Sequence, residues 1–336
     1  MTMDYIGFET EMDMGQVLSG KPSGRNIMAW TQPSATYTPE IDKFYLFPSW
    51  AQDLVVWLRL KDPLYLYGPT GCGKTSCLKQ LVAKFNWPVF EATGHNRLEF
   101  PALVGQHVLA EGNQMVFEYG PLAKAMKYGG LFLLNEIDLL APDTLAGLNS
   151  VLDGSPLLIP ENGGEVIKPH PRFRFAATAN SNGTGDDTGL YQGIMRMNTA
   201  AMDRFVFCKA DYIDTKYEKR VVMKQCQSLP EVAIDTILKF AEAVRKLFKG
   251  ESAHGIDNPV DLPFSTRSVL KTARLCTEYA PLQARGIDVM WYALERAVVM
   301  RASTGTIVTL KEVYQRITGR DPDNPVESDA QQTSGN

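Results

Sequence analysis

The sequence predicts an α/β chain, a parallel sheet covered by helices, followed by a smaller all-helical domain. Three observations predict it. From about residue 45 to residue 210, short apolar segments alternate with helical ones, as parallel strands and their crossover helices do. One strand–helix junction carries a glycine-rich loop that ends in lysine. Beyond residue 215 the strand pattern stops and helical periodicity alone continues.

Taken in order, residues 1–44 carry weak periodicity and the turn-rich stretches "SGKPSG" and "TQPSATYTPE", which read as an extended N-terminal arm. "PSWAQDLVVWLRL" has apolar residues at helical spacing behind Ser49, a candidate cap. The α/β core spans 45–212, with strands expected at Leu64–Tyr67, Pro88–Glu91, Leu131–Leu134, Arg174–Ala179 and Phe205–Lys209. A helical domain follows over 213–320, built on "TKYEKRVVMKQC", "EVAIDTILKFAEAVRKLF", "TRSVLKTARLCTEYA" and "ARGIDVMWYALERAVVMRA". Residues 321–336, "DPDNPVESDAQQTSGN", have the composition of a disordered tail.

Composition narrows the function classes. A chain of 336 residues with 44% hydrophobic content can bury a sizeable core. A net charge of −4 gives no general reason to expect nucleic acid as a partner. Five cysteines with no CxxC pair fit a reducing compartment. The acidic N-terminus lacks a signal pattern, and no apolar run approaches the roughly 20 residues that span a bilayer. The expectation is a cytoplasmic protein with no membrane partner.

The chemistry is concentrated at strand ends. "YLYGPTGCGKTS" separates Gly68 from Gly73-Lys74-Thr75 by four residues, between a strand and a helix. This is the context a phosphate-binding loop requires. Across Gly68, Pro69, Thr70, Gly71, Cys72, Gly73, Lys74, Thr75 and Ser76, backbone N–H groups turn inward toward phosphate oxygens, aided by the helix N-terminus. Lys74 is suited to the β- and γ-phosphates and the Thr75 hydroxyl to Mg²⁺.

"LFLLNEIDLL" is a buried strand that ends Asn135-Glu136, where nucleotide hydrolases usually carry Asp-Glu. Asn135 falls at the magnesium-shell position, and Glu136 at that of the carboxylate polarising the attacking water. A unit charge about 5 Å away at an effective dielectric of about 20 is worth roughly 3 kcal/mol before screening. The asparagine should therefore weaken metal affinity without abolishing the site, since its carbonyl still accepts hydrogen bonds. If the strand continues, Asp138 faces Glu136's side and does not replace the lost charge.

"FRFAATANSN" ends a further strand at Asn180, placed to sit beside Glu136 and orient water if the two strands are neighbours. Arg204 in "AAMDRFVF" is a candidate for a finger reaching an adjoining subunit's γ-phosphate; the competing reading is a salt bridge to Asp203 or another acid. Arg196 is a second candidate for that task. Arg267 stands in the first turn of a helix, where a cation is unfavourable unless phosphate lies nearby; otherwise it is a solvated helix residue.

Order and wording of these stretches, with "FNWPVFEATGHNRLEFPALVGQH", "GPLAKAMKYGGLFLLNEID" and "VIKPHPRFRFAATANSNGTGDDTGLYQG", resemble the AAA+ ATPases of the MoxR group, especially the CobS-type ATPase subunit of aerobic cobalt chelatase. The resemblance covers most of residues 40–210. It implies an AAA+ P-loop core with a five-stranded parallel sheet and a small helical lid. It also implies MoxR-type hairpin insertions at "HVLAEGNQMVFEYG" and "PLLIPENGGEVIKPHP", facing a pore or partner unless they are edge decoration. It implies a homo-oligomeric ring, usually a hexamer. ATP and Mg²⁺ would be held by Lys74, Thr75, Asn135, Glu136 and Asn180 of one chain and Arg204 of the next, with Arg267 sensing the nucleotide. Three functions are compatible: remodelling a protein partner, often one bearing a von Willebrand-type domain; powering cobalt insertion into a corrin held by another chain; or gating an assembly with low turnover.

Overall fold

The computed structural model describes residues 8–43, 45–110, 112–185 and 193–323. Its N-terminal region departs from the extended arm that the sequence suggests. β1 (Glu9–Asp13) and β2 (Asn26–Trp30) pair antiparallel, with a short helix, α1 (Met14–Ser19), in the connection. Asp13 makes most of the side-chain bonds that close this loop, beside the Met14 amide on the Arg25 carbonyl and the Gly15 amide on Ser23. The Asp13 carboxylate accepts from the Gln16 amide at 2.8 Å, capping α1, and from the Ser23 and Gly24 amides at 2.9 and 2.6 Å. Trp30 meets Trp87 edge to face, and the Arg172 guanidinium lies 4.2 Å over its ring.

α2 (Ala51–Trp57) buries Ala51, Leu54 and Trp57. Ser49 is not its cap: the capping position is Trp50, without a side-chain bond, and the Ala51 amide is taken by the Pro48 carbonyl at 3.0 Å. The core continues through β3 (Leu64–Tyr67), α3 (Lys74–Ala83), β4 (Val89–Thr93), α4 (Phe100–Val104), β5 (Gly105–Ala110), β6 (Gln114–Tyr119), α5 (Pro121–Tyr128), β7 (Gly130–Asn135), α6 (Pro142–Leu152), β8 (Leu157–Ile159), β9 (Glu165–Ile167), β10 (Phe173–Ala179), α7 (Thr199–Met202) and β11 (Val206–Lys209).

Among the described residues, five of these strands make one parallel sheet in the order β4-β7-β10-β3-β11. All six residues of β7 are buried, as a strand covered on both faces requires. Phe132 and Phe175 from adjacent strands pack with ring centres 5.2 Å apart, and Phe205 closes on Phe175 and Tyr65. Two antiparallel hairpins, β5–β6 and β8–β9, stand outside the sheet at the two expected insertions. The second turns through Gly163 and Gly164, whose φ of +66° and +76° side chains rarely adopt. Lys127 of α5 ties the hairpin bases together, donating to Tyr119 and Glu165 at 2.7 Å each while the Tyr119 hydroxyl donates to Glu165 at 2.6 Å.

The described chain forms two compact units, residues 8–68 with 73–211, and residues 69–72 with 212–323. The second is helical: α8 (Thr215–Gln225), α9 (Glu231–Phe248), α10 (Thr266–Tyr279), α11 (Val289–Ala297) and α12 (Thr304–Thr318). Phe240, Phe264, Trp291 and Tyr314 fill its core. α11 is shorter than the periodic stretch that predicts it, and α12 has no counterpart among the expected segments. Residues 324–336 of the expected tail lie outside the described residues, as do 186–192. Among the described residues no helix is long and apolar enough to cross a membrane.

Candidate functional site

Strand order assembles the site. β10 lies between β3 and β7, so the ends of all three converge at one edge of the sheet. Gly68 leaves β3 with φ +153°, and a Cβ there would stand 2.2 Å from the Ala210 carbonyl oxygen, so only glycine fits. Gly73, at φ +93°, turns the chain into α3. Lys74 opens that helix and is buried; its Nζ donates to the Gly68 carbonyl at 2.7 Å and to Asn180 Oδ1 at 3.1 Å. Phosphate oxygens would be stronger acceptors than these two neutral ones.

The Thr75 hydroxyl donates to Asn135 Oδ1 at 2.6 Å, and Thr178 of β10 donates to the same oxygen at 3.1 Å. Asn135 Nδ2 donates to Glu91 Oε1 of β4 at 2.6 Å. Two hydroxyl donors on one side and a carboxylate on the other fix which way this amide points. Glu91 also pairs with Lys79 of α3.

Glu136 is exposed and has left-handed backbone, φ 56° and ψ 46°, a costly state for a non-glycine residue that surrounding structure must enforce. Part of the enforcement is Gly94. Its N–H donates to the Asn135 carbonyl at 2.7 Å, and a Cβ on it would come within 2.4 Å of the Glu136 carbonyl oxygen.

The strand does not continue to Asp138, so the alternation condition does not apply to it. β7 ends at Asn135, and Asp138 sits buried in a 3-10 turn, Ile137–Leu139. Its Oδ2 accepts from the backbone amides of Asn180 and Ser181 at 2.9 and 3.1 Å. Asp138 therefore shapes the loop that carries Asn180. The strands bearing Asn180 and Glu136 are neighbours, but the Asn180 side chain faces Lys74. Thr178, two residues earlier, is what meets the Glu136 amide, at 3.4 Å.

Arg204 follows the short helix α7. Asp153, not the adjacent Asp203, holds it in a two-pronged pair at 2.7 and 3.1 Å, and its Nη1 donates to the Ala200 carbonyl. Arg196 is exposed. The loop residues Pro69, Thr70, Gly71 and Cys72 group with the helical unit. There the Thr70 carbonyl accepts from Tyr212 at 3.2 Å. A Cβ on Gly71 would stand 2.5 Å from Ser265 Cβ and 3.8 Å from that of Arg267, which is exposed in the first turn of α10. Ser76 is exposed on α3 and Cys72 is buried.

The donors beside each other here are the Thr75 hydroxyl and the Asn135 amide carbonyl, both oxygen, and the carboxylate of Glu136 follows next in the chain; oxygen donors are what a hard cation such as Mg²⁺ takes. Among the described residues no three His, Cys, Asp or Glu side chains gather to hold a metal unaided. A cation here would share its shell with phosphate oxygens.

Residues 63–205 match the family AAA domain (dynein-related subfamily). An uncharacterized protein of Staphylococcus haemolyticus (strain JCSC1435) is 34% identical over 218 residues, covering 62% of this chain and 80% of that protein. An uncharacterized protein of Staphylococcus aureus (strain NCTC 8325 / PS 47) is 35% identical over 194 residues, covering 56% and 71%. Among solved structures, the Thermotoga maritima RuvB Holliday junction branch migration motor aligns with a TM-score of 0.46 and 15% identity, over 77% of this chain and 72% of that one.

Proposed function

From the premise that the chain belongs to the AAA domain family, dynein-related subfamily, we propose that it is a Mg²⁺-dependent ATPase of the MoxR/CobS type. It acts in the cytoplasm as a homo-oligomeric ring, a hexamer, that remodels a protein partner. The observation that carries this reading is the placement of Lys74 Nζ between the Gly68 carbonyl and Asn180, one sheet edge away from the Thr75–Asn135 bond.

Incoming β- and γ-phosphates take over the Lys74 ammonium from those two acceptors. The loop from Gly68 to Ser76 presents amides to the phosphate chain, and Arg267 of the lid reports its state. Thr75 and Asn135, with Glu136, are the residues that hold Mg²⁺. When bound, the ion would supply neutralisation of phosphate charge. Glu136 takes a proton of the attacking water on a carboxylate oxygen, and its exposure leaves that carboxylate reachable. Asn180 fixes Lys74 and, through Asp138, the loop around it. Arg204 of the adjoining subunit stabilises charge on the transferring phosphoryl group.

Glu136→Gln tests this. Loss of a general base typically costs about 10²–10⁴ in rate, so steady-state phosphate release should fall by that order while ATP stays bound. Affinity purification of this variant with ATP should then retain ring and partner, and the partner's chemistry separates a von Willebrand-type protein from a corrin-binding chelatase chain. If wild type and variant bind ATP and release phosphate equally slowly, the second reading stands. That reading, a nucleotide-gated scaffold, is the one favoured by Asn135 in place of a carboxylate.

A further inference from the structure

We infer that Glu91 is a positioning residue for the metal shell, supplying from β4 the carboxylate charge that β7 lacks at Asn135; the inference rests on the nucleotide-site reading above. Three contacts argue it. Asn135 Nδ2 donates to Glu91 Oε1 at 2.6 Å, a short bond of the charge-assisted kind. That bond leaves Oδ1 as the atom turned toward Thr75 and Thr178, whose hydroxyls both donate to it. Thr75 thereby spends its hydrogen on Asn135, and its oxygen lone pairs remain available to a cation.

Without an acceptor at position 91 the amide could turn over and set its NH₂ against the same hydroxyl. The Glu91 carboxylate also draws the amide dipole toward itself, which makes Oδ1 a better acceptor than an isolated asparagine carbonyl. A plain salt-bridge role does not account for the arrangement. Lys79 and Glu91 are 31% and 35% exposed, and ion pairs in such settings contribute little to stability. Lys79 instead competes with the metal site for the Glu91 charge. Removing the Glu91 charge should therefore weaken metal affinity, and removing Lys79 should not.

The test uses the full chain and Mn²⁺ as probe. Mn²⁺ affinity of the ADP-bound protein is read by electron paramagnetic resonance, and nucleotide affinity is read separately in EDTA with a fluorescent ATP analogue. Losing a group that holds a metal's ligand typically changes affinity about 10–100-fold, so Glu91→Gln should weaken Mn²⁺ binding about tenfold. Nucleotide affinity in EDTA should stay unchanged. Lys79→Met should leave Mn²⁺ affinity equal or tighter. Exchanging the pair, Glu91→Asn with Asn135→Asp, returns the carboxylate to β7 and keeps an amide opposite it; affinity should recover to within about threefold of wild type.

Glu91→Gln within twofold of wild type overturns the inference, as does Lys79→Met weakening Mn²⁺ as Glu91→Gln does. Either result leaves the ATPase reading intact. Wild type that binds no nucleotide in either condition defeats both. Should Glu91→Gln fail to fold, the exchanged pair carries the decision: a folded protein with Mn²⁺ affinity still tenfold down refutes the inference.

Discussion

Asp138 holds no position in the metal shell, yet the site leans on it. Its carboxylate accepts two backbone amides of the loop that presents Asn180 to Lys74. Leaving buried donors without an acceptor costs about 1–3 kcal/mol, so Asp138→Ala should lower unfolding free energy by that order in urea titrations. It should also reduce ATP turnover more than ATP affinity, because Asn180 loses its bearing while the phosphate loop keeps its own. Wild-type turnover in a folded Asp138→Ala protein would refute this role. Such dependencies mark where the sequence was readable. Lys74 and Thr75 open the helix after β3, and Asn135, Glu136 and Asn180 stand at strand ends, in an order that the text of the chain preserves. Glu91 and Thr178 matter only because β4 and β10 flank β7, and adjacency of strands leaves no trace in periodicity. Alternation says nothing of where Asp138 points, because the left-handed backbone at Glu136 ends the strand before it.

Elements reveal the same division. The central strand β7 and the long helix α9 were legible because each hides a continuous apolar run or stripe, whereas the edge strand β11 buries only Cys208 and was legible from its apolar residues alone. The N-terminal hairpin was not, since its closure depends on one carboxylate reaching ten residues along the chain to Ser23 through a polar loop. That dependence has a pH signature. Backbone donors, Gln16 first, then Ser23 and Gly24, hold the Asp13 carboxyl down at about 2, below its ordinary 3.8, against a small opposing desolvation. A depressed acid contributes stability that is complete above its unfolded value and is lost as pH falls through its folded one. The hairpin's contribution should therefore persist above about pH 4 and fade toward pH 2. Melting temperatures of wild type and Asp13→Asn, compared across that window, should differ above pH 4 and converge below it. A constant gap down to pH 2 would show that the carboxylate's charge is not what closes the loop.

At the scale of the whole molecule, the proposed finger role of Arg204 requires it to leave the partners it has within one chain. In the single chain its guanidinium is engaged by Asp153 and by the Ala200 carbonyl. A finger acting across a subunit boundary must exchange that carboxylate for a neighbour's phosphate, a trade of one anion for a more highly charged one. Arg204→Ala should thus preserve ATP binding and lower turnover by about 10³–10⁵, the range such fingers supply. Loss of turnover alone does not prove action in trans, because a damaged α7 would give the same result. Mixing supplies the proof. Glu136→Gln subunits carry an intact Arg204, and Arg204→Ala subunits carry an intact Glu136. At every boundary where the first donates its arginine to the second, a complete site forms. Two inactive preparations, dissociated and reassembled together, should recover part of the wild-type phosphate release, with an optimum near equal mixing. No recovery at any ratio, in preparations that co-purify as one ring, would place Arg204 in its own subunit's structure and leave Arg196 as the residue to test next.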